Sequence, residues 1–119
     1  MQPKLTVSGF RGVWGETLTE EIARDYVRAF GMFTLSKNGG DQATILVGRD
    51  GRESGPALSR VIIEELLANG FNVIDLGLVA TPIAVFLVRS ESANGAIIIT
   101  ASHNPIEYNG LKFVTKTGA

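Results

Sequence analysis

Apolar residues at Ile22, Ala23, Tyr26, Val27, Phe30 and Phe33 recur at helical spacing and predict a helix from about Thr19 to Lys37. Thr17 and Glu20 have capping-box spacing, Glu20 and Glu21 suit a helix N-terminus, and Asn38-Gly39-Gly40 marks the stop. The pattern then changes. Ala43 to Val47, apolar except for Thr44, is a run of the kind found in strands buried on both faces. Helical spacing returns at Leu58, Val61, Ile62 and Leu66, with Pro56 at the first helical position and Gly70 as the stop. Phe71 to Leu76 reads as a strand, Thr81-Pro82 as the start of a third helix reaching about Glu91, and Ala96 to Thr100 as another buried strand. Leu111 to Thr115 forms a last strand behind the turn dipeptide Asn109-Gly110. Before the first helix, Leu5-Thr6-Val7 reads as a short strand and Ser8 to Gly15 as a glycine-rich loop.

Alternating strands and helices predict parallel βαβ units. The last strand follows the one before it with no room for a crossover helix, so it runs antiparallel. The expected fold class is therefore α/β: a three-layer α/β/α arrangement on a mixed, mostly parallel sheet. The 119 residues make one domain at most. A chain of this length buries about two-thirds of its unfolded surface, enough for a real core.

Composition narrows the functional classes. With 45% hydrophobic and 19% charged residues, the chain is not of a disordered type. A net charge of -1 argues against nucleic acid as a partner. Any anion must be held by local cations rather than by the field of the whole molecule. There are no cysteines and one histidine, which rules out thiolate and histidine-rich metal sites within these residues. The N-terminus leads into no apolar signal segment, and Leu76 to Val88 is too short and too interrupted to span a bilayer. The expectation is a cytoplasmic protein with no membrane partner.

The chemistry concentrates in Thr100-Ala101-Ser102-His103-Asn104-Pro105, directly after a buried strand. Strand ends are where α/β folds place their reactive groups. Ser102 admits three readings. It is a turn serine that satisfies loop backbone; it is a hydrolase nucleophile with His103 as base; or it carries a phosphoryl group. The second reading is the weakest. Residues adjacent on extended backbone point to opposite sides, and Thr100 and Asn104 occupy the glycine positions of a nucleophile elbow. The third requires donors and cations nearby. His103, Lys112 and Arg11, the last in a loop with nearby glycines, are candidates. Taken singly, each reads more readily as a surface group without a role.

Gly95 to Pro105, together with Tyr108-Asn109-Gly110-Leu111-Lys112-Phe113, closely resembles the α-D-phosphohexomutase superfamily of phosphoglucomutases, phosphomannomutases and phosphoglucosamine mutases. Ser8-Gly9-Phe10-Arg11-Gly12, Val47-Gly48-Arg49-Asp50-Gly51-Arg52 and Gly77 to Pro82 resemble further family segments in the same order. The resemblance covers nearly the whole chain. It implies the N-terminal domain, domain I, of a four-domain enzyme built around a central cleft. It also implies interconversion of hexose 1-phosphate and hexose 6-phosphate through phosphoserine at Ser102 and a hexose 1,6-bisphosphate, with Mg²⁺ bridged by the Ser102 phosphate.

In that scheme Arg11 contacts the transferring phosphate and His103 flanks it. Lys112 neutralises developing charge and takes part in proton transfer. Arg49 and Asp50 hold their loop together, as an ion pair behind the serine. The family's aspartate-rich metal loop and sugar-reading loops have no counterpart in this chain, so the implied partners include the remaining domains. An apolar side facing the second domain, and no turnover by these residues alone, follow from the same resemblance. A phosphoglucosamine mutase and a non-catalytic sugar-phosphate-binding relative are the alternatives.

Overall fold

The computed structural model describes residues 9–38, 42–101 and 104–116. Five strands and three helices follow one another as β1 (Phe10–Val13), α1 (Glu20–Lys37), β2 (Thr44–Arg49), α2 (Gly55–Ala68), β3 (Asn72–Leu78), α3 (Thr81–Ser90), β4 (Gly95–Ile99) and β5 (Tyr108–Thr115). They form one sheet in the order β1-β5-β4-β2-β3. β2 lies parallel to both β3 and β4, while β5 is antiparallel to β4 and to β1. The expected mixed α/β sheet, with an antiparallel last strand, is what the chain forms.

Period-two alternation divides the core between the two sheet faces. Ile45, Val47, Ile97, Ile99, Leu111 and Phe113 meet α1 and α2, through Val27, Phe30, Leu58, Ile62 and Leu66 among others. Leu46, Ala96, Ile98 and Val114 face the other way and meet Ala84 and Val88 of α3. The helices thus lie on both faces, giving three layers. β4 is buried at every position, which explains why its sequence reads as a continuous apolar run.

Three local expectations are corrected. The segment read as a glycine-rich loop contains β1, whose residues Phe10 to Val13 pair with Leu111 to Tyr108. Its strand character comes from the partner and from Phe10, which stacks on Tyr26 of α1 at 4.9 Å between ring centres. Asn109-Gly110 is no turn: both residues lie buried inside β5. Helix α1 is capped by Thr19, whose hydroxyl accepts from the Ile22 amide at 3.2 Å, and not by Thr17, whose hydroxyl accepts from the Val13 amide at 2.8 Å. Helix α3 starts at Thr81-Pro82 as expected, with Ala80 as its N-cap. Leu5 to Val7 lies outside the described residues.

β3 is an edge strand, and it is the least covered one. Ile74 and Leu78 on β3, and Ile83 and Phe86 on α3, are exposed by 40 to 66%. Among the described residues no helix is long and apolar enough to cross a membrane.

Candidate active site

The C-terminal ends of β2 and β4 and the start of β5 come together at one end of the sheet. The Asp50 amide donates to the Ile99 carbonyl at 3.1 Å, and the Thr100 amide to the Gly110 carbonyl at 3.0 Å. Ser102 and His103 lie outside the described residues, but both of their flanks are defined. Ala101 is fully buried, and the Asn104 amide donates to the Ala101 carbonyl at 3.0 Å. The residues on either side of the pair are therefore tied together at the end of β4.

Arg11 comes to this end on β1. It stands opposite Gly110 of β5, and directly opposed residues in an antiparallel pair share a face. Lys112, two positions along β5 from Gly110, lies on that same face, in register with Ile98 of β4. Phe10, the neighbour of Arg11, is packed into the opposite core against Tyr26. The fold thus sets Arg11 and Lys112 on one face of adjacent strands. Arg11 reaches the serine segment directly: its Nη1 donates to Asn104 Oδ1 at 3.2 Å.

Two glycines make this approach possible. A Cβ on Gly110 would lie 2.6 Å from the Phe10 carbonyl oxygen, 2.8 Å from Arg11 Cγ and 2.9 Å from the Thr100 carbonyl oxygen. Gly9 has φ +56°, and a Cβ there would lie 1.7 Å from the Leu111 carbonyl oxygen. Gly9 and Gly110 therefore serve close backbone packing of β1 on β5, whereas Gly12, next to Arg11, is pressed against Thr17 and Leu18.

Asp50 pairs with Arg52 and not, as expected, with Arg49. Asp50 accepts the Arg52 amide on Oδ1 at 3.1 Å and faces Arg52 Nε through Oδ2 at 3.5 Å. The Arg52 side chain is 11% exposed. Its Nη1 donates to the carbonyls of Pro105 (2.7 Å) and Tyr108 (3.0 Å), and its Nη2 to that of Asn104 (2.8 Å). Arg49 instead runs beside Gly55 at the start of α2. A second tie lies close by: Asn109, fully buried, donates through Nδ2 to Ser54 Oγ at 2.8 Å. Arg52 and Asn104 are thus functional candidates that sequence reasoning passed over. The signal available was Asp50-Gly51-Arg52, an aspartate two residues before a cation, the spacing of a side-chain turn.

Among the described residues there is no group of three or more acidic or histidine side chains able to hold a metal ion. A cavity of about 400 Å³ lies at the other end of the sheet, among Phe33, Lys37, Asn38, Asn94 and Thr115. A second cavity, of about 470 Å³, lies beside the loop after β2 and the segment after Asn104, among Trp14, Glu53, Ser54, Ala57, Ile106 and Glu107.

Residues 3–119 match the family described as phosphoglucomutase/phosphomannomutase, alpha/beta/alpha domain I. The phosphoglucosamine mutase of Pediococcus pentosaceus is 45% identical over 112 residues, which span 92% of this chain and 25% of that protein. A phosphoglucomutase/phosphomannomutase of Thermococcus kodakarensis is 41% identical over 110 residues, again 92% of this chain and 24% of the relative. A crystal structure of a phosphoglucomutase/phosphomannomutase family protein from Burkholderia thailandensis superposes with a TM-score of 0.80 at 37% identity, over 97% of this chain and 26% of that one. The chain spans about a quarter of the length of these relatives. Fold, motif order and similarity over nearly every residue agree: the chain belongs to the phosphoglucomutase/phosphomannomutase family, of which it forms an alpha/beta/alpha domain I.

Proposed function

We propose that this chain is the phosphoserine-bearing first domain of a larger, four-domain phosphohexomutase of the cytoplasm. The observation that carries the reading is the meeting of Arg11 with Asn104 at the end of β4, on the sheet face that also bears Lys112. Cations placed around a serine at a strand end suit a group that gains and loses a phosphoryl.

In this reading Ser102 is the phosphoryl carrier. A hydroxyl oxygen of the bound hexose phosphate forms a new P–O bond while the bond from phosphorus to the Ser102 oxygen breaks; the proton lost by the sugar hydroxyl is balanced by one gained on the released Ser102 oxygen. The product is a hexose 1,6-bisphosphate, which turns over and returns its other phosphoryl to Ser102. The net result exchanges hexose 1-phosphate and hexose 6-phosphate. Arg11 orients the phosphoryl, His103 flanks it, and Lys112 offsets the charge that builds on the oxygens and takes part in proton transfer. A phosphate on Ser102 would be the group here that holds Mg²⁺, and a bound Mg²⁺ would supply further charge neutralisation. Among the described residues no group of three or more acidic or histidine side chains would complete its shell.

Intact-protein mass spectrometry of the full-length protein is expected to find one phosphoryl group, mapped to Ser102. Ser102→Ala is expected to abolish sugar-phosphate isomerisation. Full activity of that variant overturns the reading. The name of the Pediococcus relative favours a second choice of sugar, glucosamine phosphate. The ratio of kcat/KM for glucosamine phosphates to that for glucose and mannose phosphates decides between them.

A further inference from the structure

The loop between β2 and α2 holds a device that phosphoryl transfer by Ser102 does not by itself call for. Three carbonyl groups of the segment after His103, those of Asn104, Pro105 and Tyr108, point at the Arg52 guanidinium at 2.7 to 3.0 Å. Carbonyl dipoles converging on one place repel one another unless a cation stands between them. A guanidinium suits this position because its planar fork sends separate N–H groups to separate acceptors. Asp50 fixes the fork, through Arg52 Nε on one side and the Arg52 amide on the other.

Asn104 is held twice. Its main-chain carbonyl accepts from Arg52, and its side-chain carbonyl accepts from Arg11. Its amide meanwhile donates to Ala101, on the far side of Ser102. The path from Arg52 to the reacting group therefore runs through one residue, Asn104, which joins the loop backbone, the Arg11 guanidinium and the end of β4.

We infer that Arg52 is a positioning residue for phosphoryl transfer: it fixes the main chain of residues 104–108 and, through Asn104, the direction from which Arg11 approaches the Ser102 phosphoryl. This rests on the function proposed above. Asp50 serves the same end by aligning Arg52. A lysine is a poor substitute for Arg52, because its ammonium would have to serve from one point the carbonyls that Arg52 reaches from two nitrogens, and it has no counterpart of the Nε that faces Asp50.

The test uses the full-length enzyme and four variants: Arg52→Ala, Arg52→Lys, Arg11→Ala and the Arg11→Ala/Arg52→Ala double variant. Arg52→Ala is expected to lose on the order of 10²-fold in kcat, the scale of a small misplacement at a reacting centre. KM for the sugar phosphate should change far less, since the loss lies in alignment rather than in ground-state binding. Millimolar guanidinium is expected to restore part of that kcat in Arg52→Ala and none in Arg52→Lys. The double variant should lose less than the product of the two single losses, because both arginines act through Asn104.

Wild-type kcat in a folded Arg52→Ala or Arg52→Lys enzyme, or strictly multiplicative losses with no guanidinium rescue, overturns the inference. If Arg52→Ala does not fold, Asp50→Asn keeps Arg52 but releases its alignment. That variant is expected to lower kcat at unchanged KM, and an unchanged kcat counts against the proposal. A Ser102→Ala enzyme measured in parallel separates the two levels. If it is active, the proposed function falls; if it is inactive while the Arg52 variants are normal, only this inference falls.

Discussion

Gly110 shows how much of this site depends on one missing methyl group. It sits inside β5 opposite Arg11, and a Cβ there would meet two main-chain oxygens and the stem of Arg11 at under 3.0 Å. Main-chain atoms cannot swing aside as the end of a flexible side chain can. Gly110→Ala is therefore expected to cost about 1–3 kcal/mol, the usual range for overpacking a close contact. Urea denaturation of the 119-residue chain measures it. The same change pushes β1 away from β5 and with it the guanidinium of Arg11. The full-length Gly110→Ala enzyme should then lose activity beyond its loss of folded protein. A stability within error of the parent chain would show that β1 adjusts freely.

Helices α1 and α2 are joined by a charged seam as well as by apolar packing. Glu65 of α2 is buried and accepts from Arg28 (3.0 Å), Arg24 (3.2 Å) and Asn69 (3.0 Å). Arg24 also pairs with Glu20 and Glu64, and Arg28 with Asp25. Burial pushes the Glu65 carboxyl up, but the hydrogen bonds from Arg28, Arg24 and Asn69 together outweigh it, and its pKa lies below the usual 4.5. A carboxyl whose folded pKa is depressed stabilises the fold fully above its unfolded value and loses that contribution as pH falls through the folded one. The acid limb of stability should therefore steepen from about pH 4.5 downward. Glu65→Gln should flatten that limb while lowering stability at neutral pH. Urea melts across this range check it; parallel curves for the two proteins would exclude Glu65 as the titrating group.

The molecule as a whole is unevenly covered. One sheet edge, β1, is anchored by Phe10 on Tyr26, while the other, β3, is bare and carries Ile74 and Leu78, followed by Ile83 and Phe86 on α3. Exposed edge strands with apolar side chains pair with other chains. The 119-residue chain is expected to self-associate at high concentration and to show no isomerisation of glucose phosphates. Leu78→Glu with Phe86→Glu should restore a monomer. Sedimentation and a coupled enzyme assay read the two outcomes. A clean monomer of the unmodified chain, or measurable turnover, would contradict this picture.

Much of this architecture was legible along the chain because it rests on local period. The stripe from Ile22 to Phe33, the apolar runs in β2 and β4, and the short connection ahead of β5 each carry their own signal, and together they specify an α/β/α fold with an antiparallel last strand. The motif around Ser102 was legible for the same reason, since its residues are contiguous. Other features arise only when distant segments meet. β1 was hidden by Gly9 before it and Gly12 within it, of which Gly9 serves a contact with β5 some hundred positions away. Asn109-Gly110 has the composition of a turn and the environment of a buried strand. Arg52 looked like one more loop cation until folding set its guanidinium among three carbonyls of another loop. Periodicity and contiguous motifs report what a residue does with its near neighbours. The strand order, the glycines pressed between β1 and β5, and the arginine between two loops depend on through-space distances, and only the assembled fold sets those.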